Sequence, residues 1–372
     1  MANTDYLLRL SYSPLLSTKR DQEFFTNRDE EIQQALQAVE AGFNVLVIGE
    51  RGLGKTTVLT RLEYLLKGSR YEKKLVVPAN LNFEIASPSD FILLLLSAAQ
   101  KTISNDPRTR LVQTIRRAAE SVSLSVFGAG VSLKPPEEIS VSLRYRFLDE
   151  FLTLCSKIRA KGMQFIFLID DTDKSPEVTY DVLSSLRDTL WRTEAVYVLT
   201  CNAMHRSVVL RPPVDSFFES VIQLHSLDYE ETVDLIRKRL GKDIFPRETY
   251  AMIHSSSKGN PREIVRVCRM AIEKAIEEKW EPQRLEEGVR HLIMGLEHTR
   301  QSYDKTLSLA EKELVRYIET HGPCSSSDKN LQALLGVKRT RLVQIFKKLE
   351  RIGILKATTT AGSRRKLYGI VG

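Results

Sequence analysis

Residues 49–56 place glycines, a lysine and a threonine hydroxyl at the spacing of a phosphate-binding loop. The run Gly-Glu-Arg-Gly-Leu-Gly-Lys-Thr fits the pattern G-x-x-x-x-G-K-[ST]. Glycines let the backbone approach an anion closely, and the N–H groups at a helix start point toward it. A triphosphate satisfies this arrangement, with Lys55 at the terminal phosphates and the Thr56 hydroxyl on a Mg²⁺ that keeps most of its waters. The predicted cofactor-binding residues of this glycine loop are Gly49, Gly52, Gly54, Lys55, Thr56 and Thr57.

The flanks of the glycine loop match what such a site requires. Phe43–Ile48 is an apolar run typical of a buried parallel strand, and Thr57–Lys67 carries apolar residues at helical spacing. The loop is therefore expected at a strand-to-helix junction. The alternative is a chance match in a glycine-rich turn. A chance match would not require a strand before the loop and a helix after it. The sequence predicts a site for ATP with Mg²⁺.

An acidic pair follows a second apolar strand, residues 165–169. Because parallel strands end, and the following helices begin, at one edge of a sheet, Asp170 is expected to reach a Mg²⁺ held through Thr56. Asp170 is thus predicted both as a cofactor-binding residue and as a metal ligand. Asp171 is then placed to polarise a water. Asp173 is the alternative for that role, or it caps the following helix.

Another buried strand, residues 196–199, also ends in polar residues. Its position after the acidic pair predicts that Asn202 or Thr200 orients an attacking water. The alternative is an ordinary turn residue, since asparagine is common after strands.

An arginine follows the run Gly259-Asn260-Pro261, which is typical of a turn and a helix start. Arg262 is therefore expected in the first turn of a helix. A cation there opposes the helix dipole, which indicates an anionic partner such as a terminal phosphate. The alternative is a surface arginine.

The order of elements predicts an α/β domain. From residue 41 to about 224, strand-like apolar runs alternate with helical stretches, as expected for helices on both faces of a mostly parallel sheet. Residues 121–133 alternate with period two around a glycine turn and indicate an inserted hairpin. From residue 228 to about 300 the pattern is helical, which predicts a lid. The predicted strands are Phe43–Ile48, Leu75–Asn82, Gln164–Ile169, Ala195–Thr200 and Ser220–Leu224.

The composition excludes several classes of protein. No apolar run approaches the length of a membrane span, and the N-terminus lacks the pattern of a secretion signal. We therefore expect a cytoplasmic protein without a membrane partner. The four cysteines lack the spacing of a zinc site, which indicates reduced structural thiols.

Positive charge is concentrated at the C-terminal end. Residues 336–372 hold ten Lys and Arg against one Glu, a net +9, so the other 335 residues of this +8 chain sum to −1. This distribution indicates a surface for a polyanion. The same region has the layout of a winged helix, with three helices followed by two strands. The predicted elements are helices Leu307–Glu319, Asp328–Leu335 and Val337–Leu349 and strands Ile352–Lys356 and Lys366–Ile370.

The third of these helices begins with a basic cluster, at the end that helix-turn-helix proteins insert into the major groove. Basic residues of the wing would meet backbone phosphates or the minor groove. The sequence therefore predicts binding of duplex DNA, and a protein-interaction module with a solvated charged face is the alternative. The predicted DNA-binding residues are Lys338, Arg339, Thr340, Arg341, Arg364, Arg365 and Lys366.

These motifs, in this order, make nearly the whole chain resemble AAA+ ATPases, and within them the Orc/Cdc-type initiators and related bacterial and archaeal ATPases. Residues 24–32, ahead of the first strand, are similar to the F-x-x-R-x-x-E-I motif of that group, which implies that Arg28 lies against the adenine. In family terms Lys55 and Thr56 resemble Walker A, Asp170 and Asp171 resemble Walker B, Asn202 resembles sensor 1 and Arg262 resembles sensor 2.

Two positions depart from the family pattern. The family usually has glutamate where this chain has Asp171, which is one methylene shorter, so slow hydrolysis or the use of Asp173 is expected. The arginine finger that a neighbouring subunit would supply has no sharp motif. Arg206 and Arg211 lie in the matching region, and Arg211 is preferred as a catalytic residue.

The resemblance implies a P-loop AAA+ core at 1–226, a helical lid at 227–300 and a winged helix at 301–372. It further implies an initiator-like ATPase that binds duplex DNA, assembles into homo-oligomers on ATP or DNA, and recruits a partner protein in its ATP-bound state. Target selection for mobile elements and a defence system are alternatives with the same chemistry. A nucleotide-dependent regulatory switch without hydrolysis is an alternative of a different class.

Overall fold

The computed structural model describes residues 9–81, 85, 87–105, 141–172, 176–241, 243, 245–279, 286–295, 307–321, 323–352, 354–359 and 366–370. The predicted hairpin at 121–133 lies outside these residues. Contacts divide the chain into two compact units. One comprises residues 1–244 and 257–268, and the other comprises residues 245–256 and 269–372. The division at residues 226 and 300 stays a prediction.

The first unit is built on a five-stranded parallel sheet in the order β2-β3-β4-β1-β5. This confirms the predicted α/β class. The helix that follows the glycine loop is α3, Lys55–Leu66, as the loop's flanks predicted. The strands are β1 Val45–Gly49, β2 Lys74–Asn80, β3 Gln164–Asp170, β4 Val196–Asn202 and β5 Ser220–Gln223. The other helices are α1 Lys19–Gln22, α2 Asp29–Ala41, α4 Pro88–Asn105, α5 Val141–Arg159, α6 Pro176–Arg192, α7 Arg206–Val209 and α8 Tyr229–Leu240.

Helices cover both faces of the sheet, so every residue of β1 is buried. Successive side chains of a strand point to opposite faces. Leu46 and Ile48 accordingly pack in the cluster that includes residues of α4, α5 and α6. Val45 and Val47 pack in the cluster that includes residues of α2 and α3. This explains why β1 is a continuous apolar run rather than an alternating one.

Several strand ends differ from the prediction by one or two residues, and two of the differences concern the site. β1 begins at Val45 rather than Phe43, because Gly42 ends α2 in a left-handed conformation and Phe43 is 47% exposed. β3 extends to Asp170 and β4 to Asn202, beyond the predicted ends. Asp170 and Asn202 are therefore the last residues of neighbouring strands, held by the sheet itself.

The second unit carries helices and a small antiparallel sheet. Helix α10, Pro261–Glu277, contributes residues 261–268 to the first unit. Residues 286–295 are also helical. The remaining elements are α9 Arg247–Ser257, α11 Leu309–His321, α12 Lys329–Leu335, α13 Arg339–Arg351, β6 Leu355–Thr359 and β7 Lys366–Ile370.

The predicted order of three helices and two strands at the C-terminal end is confirmed. Their core includes Leu314, Leu342 and Phe346, and the Phe346 ring stacks on Tyr368 with 4.5 Å between ring centroids. β7 has the predicted bounds, whereas β6 begins at Leu355 rather than Ile352. The reason is that α13 continues to Arg351, which makes the next residue its C-cap.

A buried carboxylate joins two helices of this C-terminal module. Glu311 is 5% exposed and accepts hydrogen bonds from the Ser308 N–H at 2.9 Å and from the Lys348 Nζ at 2.8 and 2.9 Å. Burial alone would raise the pKa of Glu311, but the hydrogen bonds from Lys348 and Ser308 outweigh it and lower the pKa below the ordinary value of 4.5. The ion pair therefore stabilises the packing of α11 against α13.

Glu311→Gln is expected to destabilise this module by about 1–2 kcal/mol near pH 7, because it removes a charge-assisted hydrogen bond. A pKa lowered in the folded state contributes stability that is fully present above the unfolded pKa and is lost as the pH falls through the folded pKa. The difference from the wild type should therefore shrink below about pH 4.5. Urea unfolding of the full chain, with hydrogen exchange in α11 and α13 as the local probe, measures this difference in stability. Glu313→Gln on the same helix is the matched control, and a difference independent of pH would contradict this account.

Among the residues described, no helix has the length and apolar character to cross a membrane. The four cysteines are buried, and none of them forms a disulfide. Burial raises the pKa of Cys155 and of Cys324 to about 12, so both thiols stay protonated at neutral pH.

Candidate functional site: a phosphate-binding loop and a basic helix start

The glycine loop connects the end of β1 to the first residue of α3. Gly52 and Gly54 have φ of 88° and 94°, in the left-handed region that side chains disfavour. The Lys55 Nζ donates to the carbonyl oxygens of Gly49 at 2.8 Å and Glu50 at 3.3 Å. The ammonium group therefore lies against the loop's own backbone.

A threonine and an aspartate meet across 114 residues of sequence at this edge of the sheet. The Thr56 hydroxyl donates to the Asp170 Oδ2 at 2.6 Å. The Thr200 hydroxyl donates to the Asp170 Oδ1 at 2.7 Å. Thr200 is itself a hydrogen-bond acceptor through its carbonyl oxygen, which takes the Thr172 hydroxyl. Asp170 is 7% exposed, so its position is tightly determined.

The chemistry of this pair fits Mg²⁺. Thr56 and Asp170 bring two hard oxygen ligands together, and Mg²⁺ binds through one or two such groups together with phosphates and waters. Both oxygens of Asp170 accept hydrogen bonds from hydroxyl groups, those of Thr56 and Thr200. The described residues contain no cluster of three or more His, Cys, Asp or Glu side chains suited to a metal, and a site shared with phosphates does not need one.

Asp171 follows directly after β3. Its φ is 61°, a left-handed conformation that aspartate adopts more readily than most residues other than glycine. Its side chain is partly exposed at the same edge of the sheet as Asp170. Asp173, the alternative water-polarising residue, lies outside the described part of the chain.

Asn202 and Thr200, the two candidates for orienting a water, make different contacts at the end of β4. Asn202 pairs in register with Gly49, the first residue of the glycine loop, and its Oδ1 accepts from the Met204 N–H at 3.3 Å. The Thr200 hydroxyl, in contrast, is committed to Asp170. Thr200 therefore supports the Asp170 carboxylate, and Asn202 is the residue placed beside the loop.

Arg262 lies in the first turn of α10, as predicted, and is exposed. Its backbone N–H donates to the Asn260 Oδ1 at 3.1 Å, and the Asn260 Nδ2 donates to the Arg51 carbonyl oxygen at 2.9 Å. Neither Asn260 nor Arg51 was predicted from the sequence as a site residue. The run Gly-Asn-Pro indicated only a turn, and residue 51 occupies a variable position of the loop pattern.

Arg51 is partly buried beside Arg262. Burial lowers the pKa of Arg51, the neighbouring Arg262 lowers it further, and Glu263 partly opposes both. With Lys55 in the same loop, the site carries three cationic side chains. Such a concentration of positive charge favours a polyanion.

Arg28 is held inside the protein. It is 8% exposed, and its guanidinium donates to the Glu31 Oε1 at 2.9 Å and to the His225 carbonyl oxygen. The adjacent Asn27 Nδ2 donates to the Glu231 carbonyl oxygen at 2.8 Å. These bonds join the start of α2 to the chain after β5 and to α8. They hold in place residues 24–32, the segment that the resemblance to Orc/Cdc-type initiators places against the adenine.

Arg211 is engaged within its own chain. Its guanidinium pairs with the Glu177 carboxylate and lies over the Tyr180 ring, 4.3 Å from the centroid. Its Nε donates to the Val208 carbonyl oxygen at 3.1 Å. Arg206, the other residue considered as a finger, is exposed at the first position of α7.

The start of α13 presents the basic cluster to solvent. Lys338, Arg339, Thr340 and Arg341 are all exposed, while Leu342 and Phe346 of the same helix are buried. Lys366, at the start of β7, is exposed as well. The predicted wing residues Arg364 and Arg365 lie outside the described residues.

One protein family matches part of the chain. Residues 24–200 match the family described as AAA ATPase domain. No curated protein matches this chain.

Three solved structures are similar to the chain over most of its length. The Orc1 protein of Aeropyrum pernix, solved in complex with DNA, has 20% identity and a TM-score of 0.49, covering 93% of this chain and 89% of that one. Cdc6p of Pyrobaculum aerophilum has 16% identity and a TM-score of 0.47, covering 96% and 92%. A Walker-type ATPase of Pyrococcus abyssi has 14% identity and a TM-score of 0.47, covering 97% of each chain.

The matched segment contains the glycine loop and Asp170, the two parts that the Thr56–Asp170 hydrogen bond brings together. Residues 24–200 of this chain are therefore similar to the AAA ATPase domain family.

Proposed function

We propose that this chain binds ATP with Mg²⁺ at the glycine loop and hydrolyses it. The observation that carries the proposal is the 2.6 Å hydrogen bond between the Thr56 hydroxyl and the Asp170 carboxylate at the start of α3. A loop of backbone N–H groups binds phosphates, and a hydroxyl and carboxylate beside it complete the shell of a divalent cation. When bound, Mg²⁺ neutralises charge that develops on the phosphates during transfer.

Each residue of the site then has a definite task. Lys55 leaves its carbonyl partners and contacts the terminal phosphates, while Gly49, Gly52 and Gly54 belong to the loop that surrounds them. Thr57 follows the loop in the first turn of α3. Asp171 polarises the attacking water, with Asp173 as the alternative, and Asn202 orients that water. Arg262 contacts the terminal phosphate, and Arg28 positions the segment against the adenine.

We further propose that the C-terminal module is a winged helix that binds duplex DNA through the start of α13. The exposed basic cluster at residues 338–341 supports this, because phosphate contacts by Lys and Arg supply most of the affinity for DNA. In this proposal the chain has a core at 1–226, a lid at 227–300 and a winged helix at 301–372. It acts as an initiator-type ATPase that assembles on DNA, with Arg211 released from Glu177 to serve a neighbouring subunit.

One observation favours a second candidate, a nucleotide switch that hydrolyses little. Asp171 is shorter than the glutamate usual in the family and has a left-handed backbone. A shorter carboxylate reaches less far toward a water, and general-base catalysis depends on hydrogen-bond reach. The ATP-bound form would then act by recruiting a partner.

ATP turnover by the wild type and by Asp171→Asn, with and without duplex DNA and at several protein concentrations, tests the proposal. We expect turnover that DNA stimulates, that rises with protein concentration, and that Asp171→Asn lowers by about 10²–10⁴-fold, the range for a general base. Asp181→Asn, an exposed carboxylate of α6, is the matched control. Tight ATP binding without turnover would favour the switch, and no ATP binding would refute the site.

A further inference from the structure

The side chain of Asn260 connects two separate segments of the chain. Its Nδ2 donates to the Arg51 carbonyl oxygen at 2.9 Å, across 209 residues of sequence. Its Oδ1 accepts from the backbone N–H groups of Arg262 at 3.1 Å and Glu263 at 3.4 Å. One amide group therefore caps the start of α10 and holds the glycine loop.

The contact is close enough to restrict the loop. A Cβ added at Gly52 would lie 2.5 Å from the Asn260 Oδ1 and 3.1 Å from the Arg262 Cβ. Gly52 is thus required both by its φ of 88° and by the proximity of Asn260. On the other side of Asn260, the Leu227 N–H donates to the Gly259 carbonyl oxygen at 2.8 Å, and a Cβ at Gly259 would meet the Leu227 backbone. The turn before α10 is therefore fixed from both sides.

Capping alone does not explain asparagine at this position. Serine, threonine and aspartate accept the same helix N–H bonds about equally well. Their side chains cannot also donate to the Arg51 carbonyl oxygen, since aspartate only accepts when ionised and the hydroxyls of serine and threonine lie closer to their own backbone than the Asn260 Nδ2 does. The donor half of the amide is what the contact with the glycine loop uses.

The contact of Asn260 with the glycine loop places two positively charged side chains next to each other. Asn260 holds the first turn of α10 so that Arg262 stands next to Arg51, and the lowered pKa of Arg51 reflects burial together with that neighbouring charge. Two adjacent guanidinium groups repel each other. An anion bound between the loop and α10 would relieve this repulsion, which is a reason to keep the two arginines together.

We propose that Asn260 is a positioning residue that fastens Arg262 to the glycine loop, so that the arginine meets the terminal phosphate of ATP. This inference rests on the proposed nucleotide site. Because Asn260 acts through Arg262, it contributes to the preference for ATP over ADP. A residue with only a structural role would affect both nucleotides equally.

The test compares ATP and ADP affinities of the full chain, measured by calorimetric titration with Mg²⁺. Asn260→Ser keeps a capping oxygen and loses the bond to Arg51 without adding charge. We expect it to lower the ATP-over-ADP preference about tenfold, the effect of one hydrogen bond to a charged or buried group. Arg262→Ala should lower the same preference, and the double variant should be no worse than Arg262→Ala alone.

Three results would overturn the inference. Asn260→Ser could retain the wild-type preference, it could lose affinity for both nucleotides equally, or its effect could add to that of Arg262→Ala. Asn260→Ala, which also loses the cap, shows how much affinity follows from helix stability. If the wild type binds no ATP, the proposed function fails and this inference with it. If the wild type prefers ATP and Asn260→Ser is unchanged, only the inference fails.

Discussion

Lys55→Ala is expected to abolish ATP binding, with a loss of affinity of at least about 100-fold. The Lys55 ammonium lies against the carbonyl oxygens of Gly49 and Glu50, at the opening of the loop where phosphates are expected. Each charge-assisted hydrogen bond that it would make to a phosphate contributes about 1.5–3 kcal/mol, and two of them account for the expected loss. Calorimetric titration of the full chain with ATP and Mg²⁺ measures this effect.

The controls for Lys55→Ala separate the site from the fold. Lys67→Ala removes a lysine at the other end of α3 and should bind ATP like the wild type. Binding of duplex DNA by Lys55→Ala in the absence of nucleotide should be unchanged, because the basic cluster lies at residues 338–341. Normal ATP binding by Lys55→Ala would show that the nucleotide site has been assigned wrongly.

Arg339→Ala combined with Arg341→Ala should have the largest effect on DNA binding. Both residues are exposed in the first turn of α13, and the apolar side of that helix is buried in the module, so the substitutions leave the core intact. Each arginine that neutralises one phosphate contributes about 0.9 to the slope of log K against log salt. We expect affinity to fall by about 10–100-fold and the slope to decrease by about two.

Fluorescence anisotropy with a labelled duplex at several salt concentrations measures both quantities. The matched control is Lys101→Ala with Lys157→Ala, which removes the same charge from exposed positions on α4 and α5. The control should change affinity little. Unchanged DNA affinity in the arginine double variant would instead favour a protein-interaction module.

The parts of the site that local pattern encodes were predicted closely. The strand before the glycine loop is apolar throughout because both faces of the sheet are covered, and the loop is recognisable because glycine tolerates its positive φ angles. The approach of Asp170 to Thr56 followed from one rule, that parallel strands end at the same edge of a sheet. The structure confirms that approach across 114 residues of sequence.

The side-chain contacts that were not predicted from the sequence share one cause. Asn260 indicated only a turn, yet its amide reaches Arg51. The hydrogen bond from the Thr200 hydroxyl to Asp170 was not predicted either. Periodicity and motif spacing report on neighbours along the chain. They do not report which side chain meets which acceptor group when segments 30 or 209 residues apart come together.

The sequence by itself determined the chemical groups of this protein and the class of fold that carries them. It supplied a phosphate loop between a strand and a helix, acids after a second strand, and a +9 segment at the C-terminal end. Only the tertiary structure decided how those groups are engaged, because hydrogen-bond partners depend on where distant segments converge. It paired Arg211 with Glu177, buried Arg28 against His225, and placed Asn260 between the glycine loop and the start of α10.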